Sequence, residues 1–246
     1  MQVPKMIIFD YGYTLVYEEK WNGVKGNKAL LEYCVSNKNN LTAEQFTEFA
    51  DNLFASTNIG RKNGLEFHEH QFQRFLNEYL QIEINLSPVE QEKVFWDNAS
   101  LGHAMPNIKE TLEYLRENNI RTGVISNISF SGEALANRIN SILPENNFEF
   151  IIASSEYIFR KPNKFIFELA LRKANLEAKD VWHCGDTVEF DVEGANSVGI
   201  FPVLYESKIE CWYVDRGNKT EPDCEYLHIH NWRELIDALE KTKKEK

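Results

Sequence analysis

From Met105 onward the chain alternates between helical stripes and short, fully apolar runs, and that alternation restricts its fold more than any other feature. The helical stripes are Ile108, Leu112 and Leu115, then Gly132 to Ser141, then Ile166, Leu169, Ala170 and Ala174, then Glu189 to Val198. Between and after them lie apolar runs at Arg121 to Ile125, Phe148 to Ala153, Val181 to Cys184 and Ile200 to Leu204. Short apolar runs between turn signals predict strands buried on both faces. Helices between such strands act as crossovers, so the units assemble as a parallel sheet. Val3 to Phe9 (VPKMIIF) predicts one more buried strand at the start. Tyr226 to Ile229 and Trp232 to Leu239 predict an edge strand and a last helix, followed by a frayed, charged tail from Lys241.

The segment between Tyr17 and Gly102 has a different character, with helical periodicity throughout. Ala29, Leu30, Tyr33 and Cys34 share a stripe, as do Phe72, Phe75, Leu76, Tyr79 and Leu80. Thr42 and Gln45 form a capping box ahead of Phe46, Phe49, Leu53 and Phe54. Ser87, Pro88 and Glu90 mark another helix start, and Gly60 to Gly64 (GRKNG) reads as a turn. The expectation is an antiparallel bundle of about four helices. The chain then divides into a Rossmann-like α/β core, residues 1–16 and 104–246, and an inserted helical unit, residues 17–103.

Composition narrows the partners. The chain has 246 residues, 27 basic against 38 acidic, and a formal net charge of −11. That balance argues against nucleic acid or an anionic membrane as partner, because phosphate backbones attract basic surfaces. It leaves room for one small phosphate ester, which needs only a local cation. Cys34, Cys184, Cys211 and Cys224 form no CxxC pair. They read as reduced thiols of a cytoplasmic protein, with a Cys211–Cys224 disulfide as the alternative. No run approaches the ~18 apolar residues of a membrane span. The oligomeric state is not legible.

In an open parallel sheet, ligands bind beyond the carboxyl ends of the strands. After the first predicted strand stand Asp10, Tyr11, Gly12, Tyr13 and Thr14; after the second, Ser126 and Asn127. Lys161 follows the third, and Asp186 follows the fourth, with Asp191 five residues later. Taken singly, these are ordinary caps and turns. Together they bring carboxylates, a hydroxyl and a lysine to one sheet edge. Asp10 and Asp186 suit Mg²⁺, and the lysine and hydroxyl suit a transferring phosphoryl group.

This set resembles the haloacid dehalogenase (HAD) superfamily, mostly Mg²⁺-dependent phosphohydrolases. FDYGYTL at Phe9 to Leu15, VISN at Val124 to Asn127, RKPNKFIFELAL at Arg160 to Leu171 and CGDTVEFDVEGANSVGI at Cys184 to Ile200 are similar to its four motifs. The helical stretch occupies the place of the family's helical cap. The resemblance implies that Asp10 attacks phosphorus and forms an aspartyl-phosphate. It implies a Mg²⁺ site made of the Asp10 carboxylate, the Gly12 carbonyl and Asp186. It gives Ser126 and the Asn127 backbone a phosphoryl oxygen to bind, and Lys161 the charge of Asp10 and the phosphoryl group to neutralise. Asp191 would orient Asp186 or Lys161, and Thr14 would fix the nucleophile loop. The substrate implied is a small phosphorylated metabolite.

One position departs from the pattern. Family phosphatases carry a second aspartate two residues after the nucleophile, as acid and base, and here that position is Gly12, with Tyr13 where glycine is usual. General acid–base help is worth roughly 10²–10⁴-fold. Four readings remain open. The substrate has a good leaving group. Another group substitutes: Tyr11, Tyr13, Glu66, His68 or His70. Turnover is lost, leaving a catalytically weak phosphate-binding or regulatory protein. Or the bond broken is not a phosphate ester. A dehalogenase is disfavoured by Gly185-Asp186, and a phosphonate-cleaving relative would use a cap lysine, for which Lys62 stands in position. Arg61 and Lys62 would also suit an anionic leaving group. Trp21 and Trp96, near the crossings into the insertion, would line the cleft or pack it.

Overall fold

In the computed structural model, which describes residues 2–211 and 221–244, the first apolar run becomes β1 (Met6–Phe9), buried along its whole length. The chain leaves the sheet through β2 (Val16–Glu18). It forms α1 (Gly23–Leu31), β3 (Cys34–Asn37), α2 (Ala43–Ser56), α3 (Asn58–Lys62), α4 (Glu69–Leu80), β4 (Ile82–Ile84) and α5 (Pro88–Ala99). It returns through β5 (Gly102–Ala104), which pairs antiparallel with β2, so both crossings share one ribbon. The alternating half follows as α6 (Ile108–Glu117), β6 (Arg121–Ser126), α7 (Gly132–Ile142), β7 (Ile151–Ala153), α8 (Lys164–Ala174) and β8 (Val181–Gly185). A π-helical turn (Val188–Glu193) runs into the short α9 (Gly194–Asn196), then β9 (Phe201–Tyr205), β10 (Leu227–Ile229) and α10 (Trp232–Lys244).

Six strands make one parallel sheet in the order β10-β9-β8-β1-β6-β7. β1 is central, with Phe9 opposite both Val124 and Cys184. Period-two alternation splits β1 between two cores. Ile7 and Phe9 pack with Leu112, Leu115, Leu135, Ile139, Trp232 and Leu235 of α6, α7 and α10. Met6 and Ile8 pack with Ile166, Phe167 and Ala170 of α8. This is the expected doubly covered α/β sheet. Among the described residues no helix is long and apolar enough to cross a membrane.

Both capping signals act as expected: Thr42 with Gln45, and Ser87 with Glu90, make reciprocal boxes. Several expectations need correction. GRKNG is not a plain turn, because Asn58–Lys62 closes into a helical turn and the bend falls at Asn63 and Gly64. Tyr33 and Cys34 do not continue the first helical stripe. The helix stops at Leu31, and Cys34–Asn37 pairs antiparallel with Ile82–Ile84 as a small ribbon. The insertion is therefore helices plus a β-ribbon, not a pure bundle. Phe148 to Phe150 lead into a strand that starts at Ile151. The tail is not frayed at Lys241: α10 continues to Lys244, with Lys243 Nζ donating to Asn118 and Glu240. Cys211 and Cys224 do not form the alternative disulfide with each other.

Trp232 ties the end of the chain to its beginning. It is fully buried, its ring centroid lies 4.4 Å from that of Tyr205 and 5.4 Å from that of Phe9, and its Nε1 donates to the Thr14 carbonyl at 3.1 Å. Removing so large a buried ring leaves a cavity and an orphaned carbonyl in the loop after β1. Trp232→Ala is expected to lower stability by about 3–5 kcal/mol, read as a drop in urea midpoint at unchanged slope.

Candidate active site

The loop after β1 starts with a continued pairing: the Asp10 amide donates to the Cys184 carbonyl at 2.8 Å. That bond fixes Asp10 at the carboxyl edge of the two central strands. Lys161 reaches the same edge from the loop before α8. Its Nζ lies 2.6 Å from Asp10 Oδ1 and 2.5 Å from Asp191 Oδ1, and all three side chains are buried. Burial works against the lysine's charge, but the two carboxylates outweigh it and hold its pKa above the ordinary value. Burial pushes the Asp10 carboxyl up to about 6, with Lys161 opposing. Burial also opposes the charge on Asp191, yet Lys161 and His183 hold it well below the usual carboxylate range.

Asp191 is held from three sides. It accepts from Lys161, from the Thr187 amide at 3.0 Å and from His183 Nε2 at 3.0 Å. The π-helical turn directs this carboxylate back under the end of β8. Gly185 is required there: a Cβ on it would stand 2.1 Å from Asp191 Cγ. Wide turns of this kind recur at functional sites because they re-aim one side chain. His183 is fully buried, and burial lowers its pKa, so it is a neutral donor to Asp191.

Asp186 follows directly, and oxygens of Asp10, Asp186 and Asp191 lie within 4.8 Å of one another. These hard oxygens are the donor set that Mg²⁺ prefers. Lys161 already engages one Asp10 oxygen and Asp191, so Asp10 and Asp186 are the carboxylates best placed to share a metal. Ser126 ends β6, buried, and lines the same cavity. The Asn127 side chain brackets the Lys161 backbone, donating to its carbonyl at 2.9 Å and accepting from its amide at 2.7 Å. Gly12 lines the cavity and adds no side chain. Tyr13 has φ of +53°, the left-handed conformation that explains why glycine is usual at this place. Its cost of about 1–2 kcal/mol is offset by full burial and by a bond from its hydroxyl to the Glu18 carbonyl. Thr14 contributes its carbonyl, through Trp232, while its buried hydroxyl has no partner among the described residues.

The substitutes considered for the missing acid are otherwise engaged. Tyr11 donates to Glu18 at 2.7 Å, within a buried cluster that includes Arg138, and burial pushes its pKa well up. Glu66 is an ion-pair partner of Arg160 at 3.1 Å and of Arg61 at 3.3 Å. His70 lies 2.9 Å from Glu92, and His68 caps α4 and faces Glu156 at 3.3 Å. Both histidines are half-buried and sit on carboxylates that also bind the α7 end of the core. Arg61 lines the cavity, with its guanidinium over the Phe54 ring, whereas Lys62 is exposed and lines a neighbouring cavity.

The cavity that holds Asp10 measures about 640 Å³ and lies between the sheet edge and the inserted helices. Asp10, Ser126, Lys161 and Asp186 form its floor; Trp21, Phe54, Phe72, Phe95, Trp96 and Phe130 line its walls. Two residues here escaped the sequence reading. His183 was visible as a histidine inside an otherwise apolar strand. Glu69 lines the cavity and is buried, and its carboxyl is pushed up to about 8 by burial, with Glu92 and Glu66 adding to the shift. The signal for it was an acid on a buried stripe, Glu69, Gln73, Leu76 and Leu80.

A family model for haloacid dehalogenase-like hydrolases matches residues 4–199. A ribulose-1,5-bisphosphate 5-phosphatase of Halopiger xanaduensis is 27% identical over 136 residues, 55% of this chain and 56% of that protein. The match thus spans little more than half the length of that relative. A pyrimidine 5'-nucleotidase of Escherichia coli is 27% identical over 222 residues, 88% of each chain. A 2-haloacid dehalogenase structure from Pseudomonas syringae superposes with a TM-score of 0.61 at 21% identity, covering 97% of this chain and 99% of that one, which shows the shared fold.

Breaking the lysine bridge exposes its role. Lys161→Met leaves Asp10 and Asp191 buried without a counter-charge, and should cost about 3–5 kcal/mol at pH 7 in urea unfolding. Both carboxyls are then held above their unfolded pKa values. The loss should shrink as pH falls from 7, because without Lys161 each carboxyl takes up its proton at a higher pH than in the wild type.

Proposed function

Because this chain belongs to the haloacid dehalogenase-like hydrolase family, we propose that it is a Mg²⁺-dependent phosphatase of a small phosphorylated metabolite, with Asp10 as nucleophile. The observation that carries this reading is the Asp10–Lys161–Asp191 bridge at the floor of the cavity. A carboxylate held at a strand end by a buried ammonium is aimed and kept from wandering. The same ammonium lies where it can neutralise an incoming phosphoryl dianion.

Asp10, Asp186 and the Gly12 carbonyl would hold Mg²⁺, which when bound shields the repulsion between carboxylate and phosphate. The chain's own residues do the rest. The Ser126 hydroxyl and the Asn127 amide donate to a phosphoryl oxygen. The Asn127 side chain holds the Lys161 backbone, and Asp191 holds its ammonium. Asp10 attacks phosphorus, and the aspartyl-phosphate is then hydrolysed. Residues 17–103 act as the cap over the core of residues 1–16 and 104–246, admitting substrate and excluding water.

The walls favour one kind of leaving group. Aromatic rings dominate them, and the two arginines of the lining, Arg61 and Arg160, are tied to Glu66. A flat, uncharged group suits this space better than a second phosphate. Arg61 therefore counts as a structural cation, and Lys62, on the neighbouring cavity, as no ligand of this pocket. The nucleotidase named above acts on a substrate with such a group. A weak phosphate-binding protein is the second reading, favoured by the glycine at position 12.

Mg²⁺-dependent phosphate release from 4-nitrophenyl phosphate should be abolished by chelation, restored by added Mg²⁺ and lost in Asp10→Asn. Turnover that survives Asp10→Asn sinks the nucleophile assignment. Phosphate binding without turnover in the wild type would instead favour the binding protein. Trp21→Ala should raise KM about 3–10-fold for 4-nitrophenyl phosphate and leave acetyl phosphate unchanged, the difference reporting the lost ring contact.

A further inference from the structure

We propose that Glu69 is the acid that the loop after β1 lacks: a catalytic carboxyl, supplied by the inserted segment, that protonates the departing oxygen and later takes a proton from the attacking water. The proposal rests on the phosphatase reading above. Its basis is placement. Glu69 opens α4, and its amide donates to the Ser129 carbonyl at 2.8 Å. That bond pins the start of α4 to the loop that follows Ser126. The side chain is buried from bulk solvent and lines the cavity whose floor holds Asp10 and Lys161.

The groups facing Glu69 explain why it is suited to the task. Glu66 lies on its own segment and Glu92 on α5, both acting on it as like charges. The basic side chains of the neighbourhood face other carboxylates: Arg61 and Arg160 lie on Glu66, His70 on Glu92 and His68 on Glu156. Glu92 also accepts from the Ser131 amide at 2.7 Å and from its hydroxyl at 2.5 Å, which fixes its carboxylate in place beside Glu69. Glu69 has a hydrogen bond from Ser129, which opposes the shift without reversing it. A buried carboxyl beside two anions stays protonated at neutral pH, and a protonated carboxyl is what an alkoxide leaving group needs. Other acids of the lining are less suited: Glu18 is bound to Arg138, and Asp51 is exposed.

The step balances. An Asp10 oxygen forms a bond to phosphorus while the bond from phosphorus to the leaving oxygen breaks. The electron pair of that bond takes the Glu69 proton, and an alcohol departs. The Glu69 carboxylate then accepts a proton from water as the water oxygen bonds to phosphorus. The Asp10–phosphorus bond breaks, phosphate is released, and Glu69 is protonated again. Water enters from the side the alcohol has left, so one carboxyl serves both halves.

The test compares two aromatic esters of similar shape, benzyl phosphate with a poor leaving group and 4-nitrophenyl phosphate with a good one. Glu69→Gln should lower kcat/KM for benzyl phosphate by ~10²-fold or more and for 4-nitrophenyl phosphate by less than about 3-fold. In the wild type, kcat/KM for benzyl phosphate should fall above pH of about 8, and that limb should vanish in the variant. Carbon-13 NMR of protein labelled at the glutamate carboxyls should show one group titrating near 8 that is missing from Glu69→Gln. Equal losses on both esters, no loss on either, or no such carboxyl in the wild type overturns the proposal. If the wild type hydrolyses both esters and Asp10→Asn neither, the phosphatase reading stands and the Glu69 comparison alone decides. If the wild type hydrolyses neither, that reading falls and the acid falls with it.

Discussion

The lysine bridge is the constraint around which the carboxyl edge of the sheet is organised. Two buried carboxylates 2.5–2.6 Å from one ammonium cannot relax without leaving a charge unpaired in an apolar interior. Each neighbouring oddity follows from holding that arrangement. Gly185 lacks a side chain because the Asp191 carboxylate occupies its place. The turn after it is widened so that Asp191 can face back. His183 is buried because Asp191 needs another donor, and Asn127 brackets the Lys161 backbone so that the ammonium arrives in register. Such a triad adds little net stability against an apolar substitute, but it fixes one geometry.

A second set of buried charges joins the insertion to the core. Glu66 sits between Arg61 of the insertion and Arg160 of the core, and Ser154 Oγ donates to it at 3.2 Å. Glu92 of α5 accepts from Ser131 at the start of α7, and at the rim His68 of the insertion lies 3.3 Å from Glu156 of the core. Backbone bonds run alongside: the Glu66 amide to the Ile158 carbonyl at 2.5 Å and the Arg160 amide to the Gly64 carbonyl at 3.0 Å. These contacts meet the loops that carry Ser126 and Lys161. The helical segment therefore touches the site through the same two loops that shape it, and a shift of one must be felt by the other.

How much of this was legible in the sequence depended on whether a residue's neighbours were local. The parallel sheet and the placing of Asp10, Ser126, Lys161 and Asp186 at one edge of it followed from alternation and strand ends, because crossover helices leave few other arrangements, whereas the strand order came only with the structure. Capping boxes were readable for the same reason: their partners lie three residues apart. The β-ribbon of Cys34–Asn37 with Ile82–Ile84 was not, since its pairing spans the insertion and helical periodicity masked it. The roles of His183 and Glu69 were hidden differently. Each is a polar residue at a core position of its element, and what makes it chemical is a partner distant in sequence, Asp191 across a turn or Glu92 on another helix.

Glycine at position 12 looks at first like the loss of a function, but the site around it is not that of a decayed enzyme. Drift would be expected to spoil the costly features early, and those are the ones in place: the paired lysine, the glycine that admits Asp191, the left-handed tyrosine. An acid beside the nucleophile is present whether or not the insertion is seated. An acid on α4 is present only when the Glu69 amide reaches the Ser129 carbonyl, that is, when the wall of the cavity is closed. Its protonation likewise depends on that closure, because only burial against Glu66 and Glu92 holds it neutral. Moving the acid from the loop to the helix thus makes proton transfer conditional on the exclusion of water.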